Sequence, residues 1–110
     1  MAGIVTGTDE SFEAEVLKAD VPVVVDFSAA WCAPCRAMEP VMEEIAREQA
    51  GKLKVVKLDV DDSPSVATRF RVQSLPTLIV FLDGQPVDRV AGLLSKDKLM
   101  ARFGDHIREL

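Results

Sequence analysis

VPVVVDFSAAWCAPCRAMEPVMEEIAREQAGKLKVVKLDV, residues 21–60, is the stretch that decides the fold. Its opening, VPVVVDF, is a continuous apolar run with β-branched residues, which predicts a strand buried on both faces. PCRAMEPVMEEIAREQAG follows, with Met38, Val41, Met42 and Ile45 recurring at helical spacing. Pro34 suits the first turn of that helix, Gly51 suits its stop, and Pro40 should kink its middle. KLKVVKLDV then reads as a second buried strand. Strand, helix and strand over these lengths make a βαβ unit, so the two strands should run parallel with a right-handed crossover. One residue sits oddly in this pattern. Asp26 places a charge at the end of the apolar run, six residues before the first cysteine.

The flanks extend the same architecture. Ile4 and Val5 start a short strand. Thr8 is an expected N-cap for a helix over DESFEAEVLKAD, in which Asp9 and Glu10 favour the positive end and Phe12, Val16 and Leu17 form an apolar stripe. Beyond residue 60, a loop containing DDSPS leads to a short helical turn around Val66 to Phe70. TLIVFLDGQPVDRVAG reads as two strands joined at Asp83-Gly84, a strong hairpin dipeptide. Ser95 can cap a final helix whose Leu99, Met100, Phe103 and Ile107 face inward, with Leu94 stapled onto Leu99. The order βαβαβ(α)ββα predicts an α/β sandwich, a central mixed sheet with helices on both faces.

Composition bounds the function. A chain of 110 residues is expected to be one domain, residues 1–110, with one core. Its 48% hydrophobic and 28% charged content suits a compact globule with a solvated surface. The net charge of −5 argues against nucleic acid as a partner, because there is no basic patch to neutralise phosphates. MAGIVTGTDE has neither a basic segment nor an apolar stretch, so no signal peptide is expected there. The apolar runs fall far short of the roughly 20 residues that span a bilayer, so no membrane association is expected either. The expected address is the cytoplasm, where a permanent disulfide is disfavoured and two close cysteines point to catalysis or metal binding.

Cys32 and Cys35 are the chain's two cysteines, placed where the strand ends and the helix begins. Three readings compete for them. Residues i and i+3 of a helix lie about 5–6 Å apart, within the Cα separation of roughly 4.4–6.8 Å that a disulfide tolerates. As a staple the pair would be poor, because a ring this small constrains the unfolded chain by only about 2 kcal/mol. A structural zinc site needs four ligands, and the sequence offers only one histidine, His106, near the far end, which reads as a partly exposed helix residue. As a redox pair the placement is favourable, because the helix N-terminus supplies unpaired N–H groups and a positive dipole end that stabilise a thiolate. Cys32 at the outer end receives most of that field, and Cys35, one turn in, is expected to be the more shielded. Pro34 stiffens the turn between them. Redox chemistry is the reading these residues favour, with no metal.

At WCAPCR the chain resembles the thioredoxin family, whose pattern is Trp-Cys-Gly-Pro-Cys-Lys. VVVDFSA resembles the family's preceding strand, LPTLIVF the segment with its cis-proline, and DGQPVDRVAGLLSKDKL its closing hairpin and helix. The resemblance spans essentially the whole chain. It implies the thioredoxin fold, a three-layer α/β/α sandwich with about five strands and four helices. It also implies a general protein disulfide reductase that needs no cofactor beyond the Cys32–Cys35 disulfide, works as a monomer and is recharged by a thioredoxin reductase. Carried over residue by residue, Cys32 is the nucleophile that forms a mixed disulfide and Cys35 the thiol that resolves it. Asp26 would take the proton from Cys35 through water, its pKa raised by burial. Lys57 on the adjacent strand matches that aspartate's partner, and reads equally well as an exposed strand-edge lysine.

Pro76, a strand-entry residue by position alone, becomes a cis-proline facing the disulfide. Trp31, Ala33, Pro34, Leu75, Ala91 and Gly92 would form an apolar, charge-poor patch that accepts disulfide-containing proteins. Three positions depart from the family pattern: Ala33 for glycine, Arg36 for lysine, and Ser28 where many relatives carry a second tryptophan. Alanine favours helix over glycine by roughly 1 kcal/mol and adds a methyl beside the groove. The Ala-Pro pair between the cysteines argues for a reductant, because oxidases and isomerases often carry histidine there. A reading from another class, a thioredoxin-fold binding module or holdase with a secondary redox role, is opposed by the retained cysteines.

Overall fold

In the computed structural model, which describes residues 3–107, five strands alternate with helical segments. The strands are β1 (Val5–Gly7), β2 (Val23–Ser28), β3 (Lys54–Asp59), β4 (Thr77–Leu82) and β5 (Gln85–Ala91). The helices are α1 (Ala33–Glu48), α2 (Pro64–Arg69) and α3 (Lys96–Gly104), preceded by a π-helical turn at Glu13–Leu17. The sheet order is β1-β3-β2-β4-β5. β3 pairs parallel with both β1 and β2, whereas β4 runs antiparallel to β2 and β5. This is the expected mixed sheet, with the βαβ unit at its centre.

The alternation of side chains along each strand assigns the two faces. Val24, Val55, Leu78, Val80 and Val90 pack with Met38, Met42 and Ile45 of α1 and Leu99 and Phe103 of α3. Val23, Val25, Phe27, Val56, Leu58, Ile79 and Phe81 pack on the other side, with Val16 of the π-helical turn, Phe12 just before it, and Val66 and Ala67 of α2. There Phe12, Phe70 and Phe81 form a triad with ring centroids 5.1 to 5.7 Å apart, in tilted and edge-on contact. All six residues of β2 are buried, as a central strand covered on both faces requires.

Most element boundaries follow from local chemistry. Thr8 and Ser11 close the turn that leads into the first helical segment: Ser11 N–H donates to Thr8 Oγ1 at 3.1 Å and Thr8 N–H to Ser11 Oγ at 2.9 Å, while the segment's own N-cap is Phe12 rather than the expected Thr8. The expected helix over 9–20 is nevertheless shortened to the π-helical turn. Lys18 N–H reaches back five residues to the Glu13 carbonyl at 2.9 Å, a wide turn that cannot propagate far. α1 continues through Pro40, whose missing N–H deprives the Arg36 carbonyl of its partner, and it stops before Gly51 at a φ of 84°. Asp83 and Gly84 both adopt positive φ, 53° and 80°, as the tight β4–β5 hairpin demands. Ser95 Oγ accepts from Lys98 N–H at 3.3 Å and starts α3. α3 closes at Gly104, so His106 and Ile107 lie beyond the helix in which they were expected; Ile107 still packs on the core.

Candidate active site

Face assignment explains where Asp26 goes. It shares parity with Val24 on β2 and therefore points to the α1 side of the sheet, opposite Lys57 of β3 and Leu78 of β4. The strand runs on through Phe27 and Ser28, so Asp26 lies inside the central strand, 3% exposed, buried as expected. Its Oδ1 has no hydrogen-bond partner. Burial pushes the carboxyl up to about 6; the Lys57 ammonium opposes this and the Glu39 carboxylate adds to it.

Cys32 is the N-cap of α1, with extended backbone, and its sulfur accepts from the Cys35 N–H at 3.2 Å. Pro34 occupies the first turn, where its missing N–H leaves no intrahelical bond unmade. The two sulfurs are bonded, across a Cα separation of 5.3 Å. Contrary to the expectation that Cys35 would be the more shielded, the two cysteines are buried alike, at 4% and 5% exposure. What separates them is surroundings. Cys32 lines a groove of about 510 Å³ with Trp31, Ala33, Pro34, Val60, Leu75 and the 72–74 loop. Cys35 lines a second cavity of about 250 Å³ on the opposite side, with Ser28, Ala29, Ala30, Arg36, Glu39 and Lys57.

The groove carries no charged side chain in its lining. Trp31 stands 68% exposed at its rim, oriented by a hydrogen bond from its indole N–H to Asp61 Oδ2 at 2.8 Å. The Leu75–Pro76 peptide bond is cis, and Pro76 is buried at the start of β4. Ala91, which is exposed, and the half-buried Gly92 adjoin this segment. They sit beyond Pro76, with Ala91 paired to Thr77 and the Gly92 N–H donating to the Pro76 carbonyl at 2.9 Å.

The rear cavity, unlike the groove, has charged side chains in its lining. Lys57 is half-buried, and its ammonium donates to Glu39 Oε2 at 2.7 Å rather than to Asp26. Ser28, buried two residues beyond Asp26 on the same face, has an unpartnered hydroxyl. Arg36 folds its guanidinium onto the Ala30 carbonyl. Among the described residues no group of three or more His, Cys, Asp or Glu could hold a metal ion. His106 lies far from the cysteines in the chain and meets Asp88 Oδ2 at 3.3 Å.

Sequence reasoning had not singled out Glu39, Asp61, Val60 or the 72–74 loop. Glu39 carried a usable signal: it follows Cys35 by four residues and so shares its helix face. The loop residues carried none, because no periodic pattern spans them.

The model of the thioredoxin family matches residues 3–104. Thioredoxin 1 of Nostoc sp. is 48% identical over 100 residues, which cover 91% of this chain and 94% of that one. The thioredoxin of Mycobacterium tuberculosis is 50% identical over 103 residues, 94% of this chain and 89% of that one. A bifunctional thioredoxin reductase/thioredoxin of Mycobacterium leprae is also 50% identical over 103 residues, which make up 22% of its length.

Proposed function

The chain belongs to the thioredoxin family of protein disulfide reductases, and within that activity we propose that Cys32 is the nucleophile and Cys35 the resolving thiol. The observation that carries the assignment is the split environment of two equally buried sulfurs. Cys32 opens on an uncharged groove that can take a polypeptide, whereas Cys35 opens on a cavity lined by Glu39 and Lys57, beside Asp26. The N-terminus of α1 stabilises negative charge on the Cys32 sulfur through the dipole and the Cys35 N–H.

In the reduced protein the Cys32 thiolate attacks one sulfur of a substrate disulfide. A Cys32–substrate bond forms, and the other substrate sulfur leaves as a thiolate that takes a proton from solvent. Cys35 then gives its proton to the Asp26 carboxylate, through water, and its thiolate attacks Cys32. The Cys32–Cys35 bond forms, the Cys32–substrate bond breaks, and the second substrate sulfur leaves as a thiolate that takes a proton from solvent, to which Asp26 in turn loses its own. Substrate gains two electrons and the chain's own cysteines lose two, so no further cofactor takes part. Asp26 suits its task because a carboxyl held near 6 can accept and release a proton close to neutrality.

Trp31, Ala33, Pro34, Leu75 and Pro76 form the docking surface, continued by Ala91 and by Gly92, whose N–H binds the Pro76 carbonyl. Lys57 acts on Asp26 through space. The reading extends to a monomer of one domain, working in the cytoplasm on protein disulfides and recharged by a thioredoxin reductase. The Mycobacterium leprae relative, by its name, joins both activities in one chain. No helix among the described residues is long and apolar enough to cross a membrane.

Reduction of insulin disulfides tests the assignment. Cys35→Ser should accumulate a covalent adduct with the substrate, and Cys32→Ser should neither reduce insulin nor form the adduct. Turnover by Cys32→Ser, or an adduct on Cys35 in the parent, would overturn it.

A further inference from the structure

A carboxyl buried in a sheet either finds a counter-charge or gives up its own charge. Asp26 has a cation one strand away, in register and on the same face: Lys57. Yet the Lys57 ammonium is bound to Glu39 at 2.7 Å, and Asp26 Oδ1 is left without a partner. Glu39 reaches Lys57 because it stands one helical turn beyond Cys35 on α1, so both look into the rear cavity. The Lys57–Glu39 pair adds little stability, because its side chains are 37% and 44% exposed and solvent screens such a pair. Its consequence is where it puts the ammonium.

We propose that Glu39 is a positioning residue for the resolving step: by holding Lys57 toward the cavity mouth it keeps Asp26 unpaired, so that the carboxyl can take the proton of Cys35. The inference rests on the reading of Asp26 as that proton acceptor. The groups around Asp26 leave few alternatives. β3 presents Lys57, α1 presents Cys35 and Glu39 with Arg36 beside them, β4 presents Leu78, and Leu99 and Phe103 of α3 are apolar. Arg36 is engaged with the Ala30 carbonyl. Among the described residues Lys57 is the cation placed to switch partners, and Glu39 is the group that holds it. Glu39 therefore acts in two ways with one sign, repelling charge on Asp26 through space and withholding the cation that would favour it.

The test is the titration of the Asp26 side-chain carboxyl, followed by carbon NMR in the oxidised protein and its variants. Glu39→Gln should lower the Asp26 midpoint by about one pH unit, as expected for a carboxylate that gains a nearby cation. Lys57→Met should raise it. In the Lys57→Met background, Glu39→Gln should lose more than half of its effect, because the cation it releases is gone. An unchanged Asp26 midpoint in Glu39→Gln would overturn the proposal. So would an equal drop in both backgrounds, since Glu39 would then be only a distant charge.

The insulin-reduction pH profile separates this inference from the one beneath it. If the acid limb in Glu39→Gln moves down with the Asp26 midpoint, both stand. If the midpoint moves and the profile does not, Glu39 does position Lys57 and Asp26 is not the proton acceptor. Glu39→Asp, which keeps the charge on a shorter stem, should restore part of the parent midpoint; failure to do so with an intact fold counts against the contact with Lys57.

Discussion

The two sides of the Cys32–Cys35 disulfide differ more than the two cysteines do. In front is a groove of about 510 Å³ whose lining is free of charged side chains. Behind is a cavity of about 250 Å³ where Arg36, Glu39 and Lys57 gather beside Asp26. Exposure does not distinguish the sulfurs, at 4% and 5%. Reactivity is therefore set by what each sulfur faces: a surface that can hold a polypeptide, or a site that can take a proton. One helix supplies both sides, since its first turn caps with Cys32 and its second carries Arg36 and Glu39.

The sharpest way to break this contrast is at the sulfurs. Cys32→Ser should abolish insulin reduction, while Cys35→Ser should stop after one covalent step. Equal residual turnover in the two variants would mean that the sides are interchangeable.

The next largest effect should come from the rear side and appear as stability. Burial raises the folded pKa of Asp26 to about 6, above that of the unfolded chain. The folded state therefore binds more protons between about pH 4, the ordinary aspartate range, and pH 6. Folding stability from this group falls as pH rises through that window, and the full penalty is present above it. Asp26→Asn should remove a penalty on the order of 3 kcal/mol at pH 7 and leave stability nearly unchanged at pH 4. Urea unfolding at the two pH values measures it. The same variant should slow insulin reduction near neutrality, so it separates the gain in stability from the loss of a proton acceptor.

The front side should respond in affinity. Trp31, 68% exposed at the groove rim, is a large apolar anchor whose removal should lower kcat/KM for a protein disulfide roughly tenfold. A small aliphatic disulfide that cannot fill the groove should be affected little. A smaller change is expected for Asp61→Ala, which only frees the indole N–H: a loss of about 1 kcal/mol or less in transition-state binding of the protein substrate. Trp31 is the chain's one tryptophan, so its fluorescence reports the loosened ring directly.

Legibility in the sequence followed the same division. The βαβ unit, the Asp83-Gly84 hairpin and the Ser95 cap were readable because each has a local signal: an apolar run, a positive-φ dipeptide, a hydroxyl before a helix. The π-helical turn at Glu13–Leu17 was not, because its amphipathic stripe is that of an ordinary helix and only the Lys18 bond to Glu13 reveals the wider pitch. At the site, Cys32, Cys35 and Trp31 announce themselves as residue types. Asp26 stands out by its charge in an apolar strand, while its lack of a hydrogen bond at Oδ1 is visible only in the packed structure. Glu39 is marked in the sequence by its spacing from Cys35, yet its meaning appears only when β3 brings Lys57 within reach of it. The groove's far wall comes from Val60 and the loop before β4, assembled by the chain's path rather than by any pattern within it.

Differential alkylation tests the central claim most directly. The reduced protein is exposed to limiting iodoacetamide across pH 5 to 9, and the modified cysteine is identified by peptide mass spectrometry. Cys32 should be modified at least about tenfold faster than Cys35 near neutrality, as a thiolate stabilised at a helix N-terminus should be. Equal rates, or faster modification of Cys35, would contradict it.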